Sequence, residues 1–252
     1  MGYFTYSYMG YFSYLIWMLP AILLSLFAQL LVNSAYNKNS KIKNTRGLTG
    51  AEAARQVLLS NNISDVYIVP VSGKMTDHYD PRTNTIHLSE GVYNATSIAA
   101  VGIAAHEAGH AVQHAEGYLP NKIRTVMVPI TNFGSRIGWI LILIGLAMSG
   151  FYYYSETAES SSFTYDLGGI LLLLGIILYS TSLIFTIVTL PVEFNASKRA
   201  LQTIEGRNLL SEDQIGGARQ TLRAAALTYV AAAVTALLQL LRIIMMVKRR
   251  RD

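Results

Sequence analysis

The sequence contains no cysteine. Disulfides are therefore excluded, and so is any thiolate metal site; a metal bound here must be held by His, Asp or Glu. Charge is scarce as well. Only 14% of the 252 residues are charged, against about 25% in ordinary soluble domains. The shortage is local, because nearly charge-free stretches alternate with charged ones, which is the profile of a multi-pass membrane protein. Residues 1–13 carry no Lys or Arg. A signal peptide would open on a basic segment and have a shorter apolar core, so the first apolar run reads as an uncleaved anchor. No internal repeat or low-complexity segment is present. No stretch interleaves aromatic and basic residues, so the net charge of +5 reflects membrane topology and implies no nucleic-acid partner.

What is present begins with the apolar runs. Tyr14 to Val32, Ile137 to Tyr154 and Leu167 to Leu190 are each about the length that a helix needs to cross the bilayer's hydrocarbon core. Tyr152, Tyr153 and Tyr154 resemble an interfacial aromatic belt. The linker Ser155 to Asp166 holds Glu156, Glu159 and Asp166 but no basic residue. Ala224 to Val247 is a fourth candidate, with Arg242 inside it; a lone Arg deep in lipid costs at least about 2.5 kcal/mol. That segment can span, lie at the interface or re-enter. Lys38, Lys41, Lys43 and Arg46 follow the first span, Lys122, Arg124 and Arg136 precede the second, and Lys198, Arg199, Arg207, Arg219 and Arg223 follow the third. Three crossings put all of these on one side, which the positive-inside rule makes cytoplasmic. The basic tail Lys248 to Arg251 agrees only if the fourth segment does not cross, which tips the reading toward a re-entrant or interfacial segment.

Residues 37–136 form the one soluble-looking stretch of domain size. Thr49 with Glu52 is a capping box that opens a helix to about Ser60. Val66 to Val71 and Thr85 to Leu88 read as strands, the second after the turn-forming Asp80-Pro81-Arg82. A helix then runs from about Thr96 to Glu116.

That helix carries His106-Glu107-Ala108-Gly109-His110. Residues four apart on a helix project from one face, so the two imidazoles can share a tetrahedral metal with bonds of about 2.0–2.1 Å. Zinc is the expected cofactor. Glu107 follows the first ligand and is placed to act as general base toward a water that zinc activates. With five His and nine Glu in the chain, random placement gives the pattern in about 0.3–0.4% of sequences. The competing reading is a solvated helix face with two satisfied histidines. A catalytic zinc also needs a third protein ligand and an open position. His114, a further turn along, is poorly placed to converge, and Glu116 is on the wrong part of the helix. Glu193, just after the third span, returns to the same membrane face as His106 after two crossings and is the expected third ligand; its competing role is an acid at an interfacial helix start.

These residues support a family resemblance. Thr76-Asp77-His78-Tyr79-Asp80-Pro81-Arg82, Leu88-Ser89-Glu90-Gly91-Val92-Tyr93, Ala105 to His114 and Pro191-Val192-Glu193-Phe194 resemble the membrane zinc metallopeptidases of the YugP-like family and, more distantly, the gluzincins. The resemblance covers most of the chain. It implies two His ligands from the motif helix and a Glu from a later one, which Glu193 matches. It also implies an acid four residues on that supports a ligand; Ser197 stands there, and Asn195 stands where Asp is expected. Gluzincins hold an extended peptide beside a strand edge, a role that falls here to Thr85 to Leu88 or to none, if that strand is an ordinary hairpin arm. His78, His87, Arg82 and Arg199 are the polar candidates for stabilising the tetrahedral oxyanion.

The expected fold is a mainly α membrane protein, in which a gluzincin-like zinc-protease domain with a small β element joins a bundle of three or four transmembrane helices. Its parts are an N-terminal transmembrane helix (1–36), a zinc-motif catalytic region (37–136), a transmembrane hairpin (137–190), a third-ligand helical region (191–222) and a C-terminal hydrophobic helix with a basic tail (223–252). The expected activity is hydrolysis of peptide bonds in membrane-associated or misfolded polypeptides at the cytoplasmic face of the cell membrane. Two other readings are open: a non-catalytic membrane protein with a structural metal, and a transporter, for which Arg242 is the only intramembrane charge.

Overall fold

Long apolar runs give long helices. The structure, a computed structural model, describes residues 2–152 and 158–248. Its order is α1 (Gly2–Asn39), α2 (Gly50–Ser60), β1 (Tyr67–Val71), β2 (His78–Asp80), β3 (Thr85–Ser89), α3 (Glu90–Tyr93), α4 (Ile98–Ala115), α5 (Leu119–Tyr152), α6 (Ala158–Gly206) and α7 (Glu212–Lys248). Among the described residues, four stretches are long and apolar enough to cross a membrane: Ile16–Asn39, Leu119–Met148, Asp166–Gly206 and Glu212–Val247. Each helix overruns its apolar run into flanking polar sequence, α5 and α6 passing through Pro129 and Pro191 on the way. The fourth is a single uninterrupted helix, which corrects the re-entrant alternative, since re-entry needs a break and residues 212–248 contain none; spanning and interfacial placements both fit a continuous helix. The belt at Tyr152–Tyr154, Glu156 and Glu159 of the acidic linker, and the tail Lys248–Arg251 lie outside the residues whose side chains are described.

The chain divides into two compact units. One comprises 1–23, 124–188 and 232–252. In it α5 and α6 meet through glycines: a Cβ on Gly138 would stand 2.8 Å from the Gly175 carbonyl oxygen, and one on Gly175 2.8 Å from that of Gly138. Without a hydrophobic drive inside lipid, close backbone approach at small residues holds helices together. Ile142, Leu172 and Ile243 are buried beside that crossing.

The other unit comprises 24–123 and 189–231. Its core gathers Val57 and Leu58 of α2, Ile86 and Leu88 of β3, the alanines of α4, Ala200 and Ile204 of α6 and Leu222 of α7. The capping box is formed as the sequence predicts: the Thr49 side chain accepts from the Glu52 amide while Glu52 accepts from the Thr49 amide. The sheet order is β1-β3-β2, with β1 parallel and β2 antiparallel to β3. Thr85 to Ser89 is thus the central strand and cannot offer an edge to a peptide. The unexpected third strand, β2, occupies that edge by pairing His78 with His87 and Asp80 with Thr85. Buried Asn39 ties α1 to α7 by donating to Thr221 Oγ1 at 3.1 Å.

Candidate metal centre

Ser97 caps α4 by accepting from the Ala100 amide at 3.1 Å, and Gly117, at φ +67°, follows the helix end; both are ordinary boundary signals. Between them alanine, glycine and valine make up 11 of the 18 residues of the helix, so other backbones can come close. Gly109, inside the motif, is where this matters. A Cβ there would lie 2.8 Å from the carbonyl oxygen of Ala196 on α6. The bare backbone lets α6 lie directly on α4 at this level, and Glu193 and Ser197 flank the contact.

His106 and His110 present their rings edge to face, 4.7 Å apart. Glu193 Oε2 stands 3.2 Å from His106 Nε2 and 3.5 Å from His110 Nε2. One ligand atom from each of the three residues lies within 4.8 Å of the others. A tetrahedral ion with bonds of about 2.0–2.1 Å holds its ligand atoms about 3.3–3.4 Å apart. The two measured separations bracket that edge, and two imidazoles with one carboxylate are a donor set suited to zinc. The residues fit the ion.

The outward nitrogens of both rings have neutral partners. Ser197 Oγ is 3.1 Å from His106 Nδ1. His110 Nδ1 is 3.1 Å from Oε1 of Gln113, which is fully buried. Hydrogen-bond polarity settles which way that second contact runs. Gln113 Nε2 faces the Val192 carbonyl at 2.8 Å and Asn195 Oδ1 at 2.9 Å. A carbonyl only accepts, so this atom of Gln113 is the NH2. Asn195 Oδ1 also receives Arg199 Nε at 2.7 Å, and a guanidinium only donates. Gln113 therefore turns its oxygen to His110, whose Nδ1–H donates to it, and Nε2 is the ring nitrogen on the Glu193 side. Arg199 is itself anchored on Glu116 at 2.7 Å. Outer partners of this kind fix the tautomer of a metal-binding histidine and aim it.

Glu107 is buried and lies outside the three-donor group. Burial pushes its carboxyl up to about 7; Glu193 and Asp77 add to the rise, while His106 and His78 oppose it. A carboxyl poised near neutrality can both take and return a proton. Asp77 is held by the Ser89 amide and hydroxyl at 2.7 and 3.0 Å.

The other expected residues are dispersed. His114 is exposed, its ring 6.0 Å from that of Tyr79, and takes no part in the donor group. Glu116 serves Arg199. Arg82 is exposed and bonded to Asp80. His78 stacks on His87 at 4.6 Å, and both are outside the donor group. Gln113 and Gly109 escaped the sequence reading. Gln113 had a signal, because it lies three residues past His110 and so on the same side of the helix.

The sequence profile of the family described as "Putative neutral zinc metallopeptidase" matches residues 14–248. The chain belongs to this family. Within it, the chain is 41% identical over 234 residues to "Putative membrane protease YugP" of Bacillus subtilis (strain 168), covering 93% of this chain and 96% of that relative. No solved structure matches significantly. Membership in this metallopeptidase family agrees with the His–His–Glu donor set and with the four membrane-length helices.

Proposed function

We propose that the chain is a membrane-bound zinc endopeptidase. His106 and His110, through Nε2, and Glu193, through its carboxylate, hold the ion, and Glu107 is the general base. The observation that carries this reading is the convergence of donors 87 residues apart beside a buried carboxyl of the right pKa. Zinc supplies Lewis acidity, polarising the substrate carbonyl and making water acidic enough to attack near neutral pH. Glu107 takes the proton of the attacking water and passes it to the leaving amine. Gln113 and Ser197 keep both imidazoles turned inward through the cycle. Three protein ligands leave a position open for chemistry, whereas a structural site is closed by four.

The substrate is an extended polypeptide from a membrane-associated or misfolded protein. With β3 enclosed, the strand edge that could accept it is β2, whose Tyr79 lies against His114 at the end of the motif helix. The clusters Lys38–Arg46, Lys122–Arg136 and Lys198–Arg223 favour a cytoplasmic site under the positive-inside rule. The test is Glu107→Gln in the full chain. Zinc content should match the parent while cleavage of casein disappears; normal cleavage removes Glu107 from the mechanism. Glu193→Ala should lower zinc affinity, and unchanged affinity would assign the third ligand elsewhere.

A further inference from the structure

A groove of about 580 Å³ runs between α6 and α7, wholly inside the unit that holds the motif. Its volume is that of a small-molecule site. The two walls are antiparallel, and the ion pair of Glu205 with Arg219 closes one end. From that end the lining changes character in order. Leu201, Gln202 and Leu222 come next, and then Lys198 and Arg223, both exposed and neither paired with any described residue. Beyond them the lining is apolar, with Phe194, Leu227 and Val230. Phe194 is 48% exposed. Beyond the apolar end, residues 167–192 of α6 and 224–241 of α7 carry no charge, with Glu193 standing between Phe194 and the first of these stretches.

We propose that this groove binds one anionic phospholipid, its phosphate between Lys198 and Arg223 and an acyl chain along Phe194, Leu227 and Val230. Three observations select that occupant over a peptide or a free anion. The lining bears Lys198, Arg219 and Arg223 against Glu205 alone, an excess of positive charge that suits a phosphodiester. The charged residues lie between the Glu205–Arg219 pair and the middle of the groove, and Phe194, Leu227 and Val230 lie at the other end, from which α6 and α7 continue into their charge-free stretches. Basic pockets between membrane helices are a recurrent form of anionic headgroup site. The occupant would also touch Ser197, which lines the groove and bonds to His106 Nδ1. A lipid is thereby placed one residue from a metal-binding ring.

The experiment uses the full chain in nanodiscs of equal phosphatidylglycerol and phosphatidylcholine, with retained lipid counted by native mass spectrometry after extraction. One phosphatidylglycerol should persist in preference to phosphatidylcholine. Each cation is expected to contribute about fivefold, so Lys198→Gln with Arg223→Gln should weaken phosphatidylglycerol retention about 30-fold. Lys38→Gln with Lys41→Gln, outside the groove, should change nothing. Because both substitutions in the test variant are at exposed positions, an unchanged thermal transition should accompany the loss. A photoactivatable phosphatidylglycerol should label the peptides that contain Phe194 and Leu227, and Leu227→Trp should block it. Equal retention of the two lipids, retention untouched by the double variant, labelling only elsewhere, or full displacement by millimolar inorganic phosphate would each overturn the proposal. All readouts apply equally to Glu107→Gln protein, so they are independent of the peptidase reading.

Discussion

Replacing Gln113 by leucine tests the polarity argument directly. The side chain is fully buried and nearly isosteric with leucine, so little volume changes. The substitution removes the acceptor of His110 Nδ1–H and the donor to the Val192 carbonyl and Asn195 Oδ1. Asn195 still has Arg199, but the Val192 carbonyl and the His110 N–H lose the partner that Gln113 supplied. Losing the outer partner of a metal-binding histidine costs about 10–100-fold in affinity, or roughly 1.4–2.8 kcal/mol. Stranding buried polar groups costs the fold about 1–3 kcal/mol besides. Gln113→Glu separates the two effects. A carboxylate still accepts from Nδ1 but offers nothing to Val192, so zinc affinity should hold near the parent while stability falls. The assay is competition for zinc against a chelator, paired with thermal unfolding of the metal-free protein. Nitrogen NMR of the metal-free His110 ring should report the Nδ1–H tautomer in the parent and a tautomer mixture in the leucine variant. If Gln113→Leu binds zinc within about twofold of the parent, the relay does not orient His110.

Other perturbations have equally definite outcomes. Gly109→Ala drives a methyl into the Ala196 carbonyl and should destabilise the fold by about 1–3 kcal/mol while weakening zinc binding through displaced Glu193, read by unfolding and metal analysis. Zinc itself should raise the unfolding temperature in a concentration-dependent way, adding about 2.7 kcal/mol at 100 times its Kd; a transition indifferent to a chelator would refute the site. Thr49→Ala should cost about 1 kcal/mol. Hydrogen bonds from the Thr49 amide and hydroxyl hold the Glu52 carboxyl below its usual 4.5, so the box stabilises fully above that pH and fades as pH falls through the lower folded value; the Thr49→Ala variant should lose that acid dependence.

The features legible in the sequence were those governed by neighbours along the chain. The capping box, the i, i+4 histidine pair and the apolar runs all fall within a few turns of helix. Glu193 was reachable because counting crossings fixes a membrane face. Two of the three strands, β1 and β3, were legible as well; β2 was not, since its three residues, His78–Asp80, are too short for alternation to register, and with it the strand order was missed. Span ends were missed because the helices continue past the apolar runs, through Lys122–Arg136 despite Pro129 and through Glu193–Arg199, where local propensity does not announce it. The missing acid at position 197 became intelligible only with α6 laid on α4. A hydroxyl and an amide take up the two rings there, and which atoms meet depends on how the helices cross.

That crossing also changes how the motif itself should be read. The two positions between Glu107 and His110 are customarily free, yet here the second of them sets the spacing between two helices that each carry part of the proposed metal set. It works as a gauge block: the smallest residue gives the narrowest gap, and the carboxylate arrives at the right depth only at that gap. Related chains with glycine at this position should take their third donor from a helix pressed flat on the motif, and those with a bulky residue there from a helix standing further off, with a longer side chain or a different donor to make up the distance.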